Sequence, residues 1–160
     1  MGALTVSQVE GVPAAWPEPA WAWQRMEAWV SHRWSEREVV WIVEGPGEWT
    51  PPLRPATSFT AERWNGEGWV AAGSTLAPLG GLELPCGTFR VAATVGDDSA
   101  PPAAVTEAIA RLVAFAAQAP AGLRSYSVGD VEAEIEPKAA SRALHLCGAG
   151  DLLKPWRKPR

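Results

Sequence analysis

The sequence is poor in the residue types that build metal and catalytic sites. It contains two histidines, His32 and His145, and two cysteines, Cys86 and Cys147, among 160 residues. None of the four stands in a metal-binding spacing such as HExxH or CxxC, and no serine lies in a nucleophile elbow. The glycines form no phosphate-binding loop. We therefore expect no catalytic residue, no cofactor and no metal, and we expect both cysteines to be free thiols.

Two groups of acidic residues remain to be explained. Asp97 and Asp98 precede a proline-started helix, where an N-terminal turn and the helix dipole account for them better than acid–base chemistry. Glu132, Glu134 and Glu136 alternate along a segment that we predict to be extended. Their face is either a solvated strand edge or a strip that meets a partner, and the pattern alone does not separate the two.

The sequence also lacks the features of secreted, membrane and nucleic-acid-binding proteins. There is no apolar run near the roughly 20 residues that a spanning helix needs, and the first twelve residues do not resemble a signal peptide. Lysine and arginine number 14 against 18 aspartate and glutamate, for a net charge of −4. A surface that grips nucleic acid usually needs clustered positive charge. We expect a protein made in the cytoplasm, without a membrane partner and without sequence-specific DNA binding.

Tryptophan, by contrast, is abundant. There are 10 tryptophans against one tyrosine and three phenylalanines, and nine of the ten lie between Trp16 and Trp69. On a helix predicted for about 18–34, Trp23 belongs to the core-facing stripe, whereas Trp21 and Trp29 lie off it. Since tryptophan is enriched at protein interfaces, we predict that Trp21 and Trp29 contact a neighbouring subunit.

The middle of the chain is predicted to be rich in β-strands. A strand is expected for 38–44, followed by a hairpin of 58–64 and 69–72 around Asn65 and Gly66, because Asn-Gly between apolar runs is a strong turn signal. Two further strands, 82–84 and 88–95, are predicted to be joined by a turn at Pro85, Cys86 and Gly87. We interpret 38–95 as a β-rich insertion.

Helices are predicted on both sides of this insertion, and 1–16, which shows no sustained hydrophobic period, is predicted to be an extended arm that leads to the first helix. After the helix at 18–34 come helices at about 102–119 and 137–147, the first of which begins with prolines and has one apolar face. We therefore predict an α+β fold: a small helical bundle of three main helices, a β-hairpin-rich insertion in the middle and an extended C-terminal tail. The expected division is a domain of 1–150 and a docking tail of 151–160.

The last ten residues, DLLKPWRKPR, combine apolar anchors with four basic side chains. A disordered solubilising end is the simpler interpretation. A tryptophan between prolines and cations is nevertheless well suited to a groove on a partner, so we favour a docking peptide. Its predicted binding residues are Leu152, Leu153, Lys154, Pro155, Trp156, Arg157, Lys158 and Arg160.

The layout resembles the head-to-tail connector, or adaptor, proteins of tailed bacteriophages and phage-like gene transfer particles. The resembling stretches are EAWVSHRWSEREVVW, LGGLELPCGTFRVAATVG, PPAAVTEAIARLVAFAA and GAGDLLKPWRKPR. The resemblance implies a homo-oligomeric ring, usually dodecameric, in the neck of the virion. It implies that the C-terminal segment docks on the portal protein, that head-closure or tail proteins bind next, and that DNA passes through the channel.

Two other functions stay open. The first is a different neck or tail component, such as a head-closure or tail-terminator protein, in which the β unit would dominate the contacts. The second is a small enzyme with an unrecognised site, which would require a pocket that unites Asp97, Asp98 and a histidine.

Overall fold

A computed structural model describes residues 2–78, 80–118, 125–128, 131–134 and 142–157, with the backbone alone described at 125–128 and 131–134. The chain forms two compact units. The first unit comprises Met1–Trp16 and Ser31–Ser99, and the second comprises Pro17–Val30 and Ala100–Arg160.

The first unit is a six-stranded antiparallel sheet. The strands pair in the order β1-β2-β6-β3-β4, and β5 pairs with β6. The long strands β2 and β6 therefore form the centre of the sheet, and β1 and β4 lie at its two edges. The strand bounds are β1 Leu4–Glu10, β2 Arg37–Trp49, β3 Ala56–Trp64, β4 Trp69–Ala71, β5 Thr75–Leu76 and β6 Leu82–Val95.

The core of this unit follows from alternating burial over 37–43 of β2 and 89–95 of β6. On β2, Val39, Trp41 and Val43 are fully buried, and their partners across the ladder on β6 are apolar as well. The indole of Trp41 meets that of Trp49 edge to face, with ring centroids 5.2 Å apart. Alternation in a strand sends every second side chain to one face, so this face of the sheet becomes the core. The buried cluster consists of Val39, Trp41, Val43, Trp49, Leu53, Ala61, Leu82, Leu84, Phe89, Val91, Ala93 and Val95.

The predicted turn at Pro85–Gly87 is wrong, because β6 continues through it. The two glycine- and proline-containing stretches of β2 and β6 face each other: Gly45 pairs with Gly87, and the register shifts between Gly45 and Gly47. A bulge tolerates proline and benefits from glycine. A Cβ on Gly45 would also collide with the carbonyl oxygen of Pro85. Two apparent strand breaks thus combine into one bulge within a long strand pair.

The predicted helical bundle is wrong as well. The first helix, α1, spans only Ala20–Trp29, and residues 37–49 and 82–95 form strands of 13 and 14 residues. Val30 has extended backbone angles and ends the helix. The helix predicted for 18–34 therefore ends well before Trp34, which is buried and belongs to the first unit.

The second unit contains the helices and a two-stranded sheet. Its helices are α1, then α2 Ala103–Gln118, α3 Ala143–Leu146 and α4 Ala149–Leu152. The strands β7 Ser125–Val128 and β8 Val131–Glu134 pair antiparallel. The helix α2 covers nearly the residues predicted for 102–119, whereas 137–141 of the predicted last helix lie outside the described residues. None of the described helices is long and apolar enough to cross a membrane.

The predicted extended C-terminal tail is also wrong over the described residues. Residues 149–152 form α4, and a short 3₁₀ helix, Lys154–Trp156, follows it. Gly148 has a φ of 72° and separates α3 from α4, a left-handed conformation that glycine adopts without steric cost. Leu153 has no exposed surface. The chain folds back here because burial of Leu153 stabilises a compact end more than a solvated one.

Candidate functional site

An ion-pair cluster holds the end of β1 against the segment that leads into β2. The Glu10 carboxylate accepts hydrogen bonds from Arg33 Nε at 2.6 Å and from Arg37 Nη1 at 3.0 Å. Both arginines are buried, with 6% of their surface exposed. The guanidinium of Arg37 also lies 4.7 Å from the centre of the Trp16 ring. Charge-assisted hydrogen bonds of this kind are stronger than neutral ones, so Glu10 ties the edge strand to the chain that enters β2.

Glu10 consequently has a lowered pKa. Burial by itself would raise it, but the hydrogen bonds and positive charges of Arg33 and Arg37 outweigh burial and hold the pKa below the ordinary 4.5. A carboxyl group whose pKa falls on folding stabilises the protein above its unfolded-state pKa. That contribution disappears as the pH drops through the folded-state pKa.

Replacing Glu10 with glutamine is expected to lower the free energy of unfolding by about 1–3 kcal/mol at neutral pH, because the carboxylate shared by two buried cations is removed. The difference between Glu10→Gln and wild type should shrink as the pH falls below about 4.5, because the unfolded chain then binds a proton at Glu10, and it should vanish once the pH has passed the lowered pKa of the folded protein. Urea denaturation at several pH values measures it.

The matched control is Glu38→Gln, since Glu38 is an exposed glutamate on the neighbouring strand. It should change the free energy of unfolding by no more than about 0.5 kcal/mol. An equal loss in both variants, or a loss for Glu10→Gln that persists unchanged below pH 4, would contradict the role assigned to Glu10.

Exposed apolar side chains are concentrated on β1 and just after it. Leu4 is 65% exposed, Val6 56%, Val9 68% and Val12 82%. Within the described residues, β1 pairs with β2 on one side and with no strand on the other. The opposite side chains of β1 serve the sheet: Thr5 Oγ1 and Gln8 Oε1 accept hydrogen bonds from the indoles of Trp49 and Trp41 at 2.8 Å. An open apolar edge strand is a typical site for protein contacts.

The other edge of the sheet carries a second exposed apolar cluster. Trp64 and Val70 are each 44% exposed, and the rings of Trp64 and Trp69 meet with centroids 5.4 Å apart. The predicted hairpin is confirmed here, because Trp64 pairs with Trp69 and Asn65 Oδ1 accepts the backbone N–H groups of the turn.

The two tryptophans predicted at a subunit interface have different surroundings. Trp21 is 45% exposed on α1. Trp29 is half-buried: its ring lies edge to face with that of His145 at 5.3 Å, and the Arg157 guanidinium lies 4.0 Å above its centre. Trp21 thus has the surface that an interface requires, whereas Trp29 packs within its own unit. Both assignments to a subunit interface remain predictions.

The predicted docking residues differ in their exposure. Leu153 is fully buried, while Lys154, Pro155 and Arg157 are exposed. Leu152 and Trp156 are half-buried, and Lys158 and Arg160 lie outside the described residues. The structure thus brings together Arg157 of the tail and Trp29 of α1, a contact that the sequence did not suggest.

His32 lies at the edge of a pocket in the first unit. The pocket has a volume of about 450 Å³, and its lining includes His32, Leu53 and Arg54. Burial holds the pKa of His32 below its ordinary value, although the charge of Asp97 acts in the opposite direction. Asp97 and Asp98 do not belong to the lining. Asp97 accepts a hydrogen bond from the backbone of Ser99 in a local turn, and Asp98 accepts one from the backbone of Glu36, which links the end of β6 to the chain that enters β2.

The remaining histidine and the cysteines form no site together. Cys86 is exposed on β6 and Cys147 is half-buried, and both are free thiols. His145 packs against Trp29. In the described ranges no three histidine, cysteine, aspartate or glutamate side chains are grouped so that they could hold a metal ion.

The edge strand β1 replaces part of the extended arm that the sequence predicts for 1–16. The signal was present in LTVSQVE, which is rich in β-branched and small polar residues. Its apolar positions do not alternate regularly, however, since the register against β2 shifts between Thr5 and Ser7. A bulge breaks the period of two that identifies a strand.

Comparison with known proteins gives one informative result. No family model matches the sequence, and no curated protein matches it. Among solved structures, a chain from the "neck of empty GTA particle computed with C6 symmetry", GTA being a gene transfer agent, matches with a TM-score of 0.53 and 20% sequence identity. The match covers 87% of this chain and 74% of that one. This chain therefore shares the fold of that neck chain over most of its length.

Proposed function

We propose that the protein is a structural component of the neck of a phage-like particle, in which it forms a ring, docks on the portal and joins the capsid to the tail. The observation that carries this proposal is the fold shared with the gene transfer agent neck chain over 87% of the sequence. The C6 symmetry of that neighbouring structure is compatible with a ring. The proposed location is the virion, with a structural rather than an enzymatic role.

The charge of the chain supports a role beside a DNA channel. DNA must slide through the channel without being held. A net acidic protein suits the channel wall better than a basic one, because a basic wall would neutralise many phosphates and bind the DNA. The net charge of −4 satisfies this condition. In this role DNA passes through the ring without sequence-specific contacts, and the protein partners are further copies of the chain, the portal and the next neck or tail protein.

Portal docking is assigned to the exposed part of the C-terminal segment. Lys154, Pro155 and Arg157 are exposed beside half-buried Leu152 and Trp156, and Lys158 and Arg160 follow in the sequence. Arginine and lysine around a tryptophan suit a groove with carboxylates at its rim. Because Leu153 is buried, it contributes to docking only by holding this segment in place.

Native mass spectrometry of the purified protein with its portal tests the proposal. We expect a closed oligomer bound to the portal ring. Charge reversal in Lys154→Glu should weaken portal binding at least tenfold and leave the unfolding transition unchanged, because the side chain of Lys154 is exposed. Truncation after Gly150 is unsuitable, since it would remove Leu153 from the core.

The control is Arg111→Glu, a charge reversal on the exposed surface of α2, where Arg111 pairs with Glu107 at 2.8 Å. It should cost no more than about 0.5 kcal/mol of stability and leave portal binding intact. A strict monomer that ignores the portal would refute the proposal, and equal binding of the tail variant and wild type would refute the docking segment.

A head-closure or tail-terminator protein is the second candidate. The six-stranded sheet favours it, because the β unit is larger than the sequence predicted and has apolar residues at both edges. Binding to the isolated tail tube rather than to the portal would identify this role.

A further inference from the structure

The sheet of the first unit ends in two different open edges. In the described part of the chain β1 has only β2 as a neighbour, and β4 has only β3. The N–H and C=O groups on the outer sides of both strands lack a strand partner there. Such edges are templates for strand addition, and natural proteins usually shield them with charge, bulges or a covering segment.

Both edges are apolar instead of shielded. Of the nine large hydrophobic residues that are exposed in the described chain, four lie on or just after β1 and two lie at the β3–β4 end. Those two groups are Leu4, Val6, Val9 and Val12 at the first edge, and Trp64 and Val70 at the second. Removing exposed valine, leucine and tryptophan side chains from water is favourable, so joining the two edges stabilises the contact.

The charges near the two edges are complementary. On β1, the one charged residue is Glu10, whose carboxylate is engaged by Arg33 and Arg37. On the neighbouring strand β2, every charged side chain that is not buried is a glutamate: Glu38, Glu44 and Glu48. On β3 and β4, the exposed charged side chain is Arg63, while Glu62 is engaged by Arg90 Nε at 2.6 Å. Glu67 lies beyond the last pair, in the hairpin turn. An acidic edge therefore faces a basic one when two copies meet edge to edge.

We infer that β1 of one copy adds to β4 of the next copy, so that neighbouring subunits of the assembly share a continuous sheet. The occupant of each open edge is thus a second copy of this chain. The inference rests on the proposed ring, because an interface between two different patches is head-to-tail and generates a ring when the rotation closes. Two-fold pairing of β1 with β1 would instead place the acidic side chains against each other.

The test is chemical crosslinking between cysteines placed on the two edges. In a background with Cys86→Ser and Cys147→Ser, we introduce Val6→Cys and Val70→Cys, separately and together, and add a short bis-maleimide. The double variant should give a ladder of covalent multimers of three or more chains. A mixture of the two single variants should give covalent dimers, and each single variant alone should give none. The control pair, Val6→Cys with Glu83→Cys, should give no ladder, because Glu83 is exposed on β6, where it is paired with β2 on one side and β5 on the other and so does not lie on an open edge.

The crosslinking is carried out on the free protein and on its complex with the portal. A covalent dimer from Val6→Cys alone would overturn the inference in favour of two-fold pairing, and the absence of a ladder from both samples would overturn it outright. If the protein gives a ladder but does not bind the portal, the shared sheet is supported and the proposed function is refuted. If the protein binds the portal as a ring but gives no ladder, the proposed function is supported and the shared sheet is refuted.

Discussion

Replacing Trp41 with alanine is expected to lower the free energy of unfolding by about 3–5 kcal/mol, the range for removing a large aromatic residue from a core. Trp41 is fully buried at the centre of the sheet, against Trp49. Its indole N–H also donates to Gln8 Oε1 at 2.8 Å, so the substitution weakens the attachment of β1 as well. Urea denaturation followed by far-ultraviolet circular dichroism measures the change.

The comparison variant is Trp64→Ala, which removes the same side chain from the sheet edge. Trp64 is 44% exposed and touches Trp69, so we expect a loss of about 1 kcal/mol under conditions where the protein is monomeric. Equal losses for Trp41→Ala and Trp64→Ala would mean that the sheet face bearing Trp41 is not the principal core of the unit.

Leu153→Ala is expected to destabilise the second unit by about 2–5 kcal/mol, because the side chain is fully buried and its removal leaves a cavity. This result would distinguish a core residue from a docking residue. A leucine that serves a partner should affect portal binding and leave the unfolding transition of the free protein unchanged. Chemical denaturation of the free protein and portal binding under native conditions separate the two effects.

Leu152→Ala is the matched control, since Leu152 is only half-buried one position earlier. We expect it to cost about 1 kcal/mol. Should Leu153→Ala unfold at the same urea concentration as wild type, the C-terminal segment would have to be detached from its unit in solution.

Local signals predicted the elements that depend on local chemistry. The β3–β4 hairpin formed where Asn65 and Gly66 indicated it, because an asparagine side chain can cap the turn without help from the rest of the chain. The helix α2 formed after its prolines because the fixed backbone angle of proline suits the start of a helix, which is also a local effect. Val105, Ile109 and Leu112 lie on its buried face.

The predictions failed where a residue acts through its partner in space. Gly45 and Pro85 each indicate a strand end when considered alone, yet they meet across the ladder and share one bulge. The interpretation of 1–16 as an arm failed similarly, since β1 becomes a strand by pairing with β2 and by the hydrogen bonds of Thr5 and Gln8 to buried tryptophans. No spacing within 1–16 contains that information.

By itself, the sequence determined a strand within 38–44, a tight turn at Asn65 and Gly66 and a helix after Pro102, because these follow from side-chain type and short-range spacing. Only the tertiary structure decided how the tryptophans are used: Trp41 and Trp49 form a core, Trp29 packs under Arg157, and Trp21 and Trp64 remain at the surface. Tertiary structure also placed Leu153 inside its unit and left two apolar strand edges open. The physical reason is that burial and strand pairing are satisfied between residues far apart in the chain, where no local pattern specifies the partner.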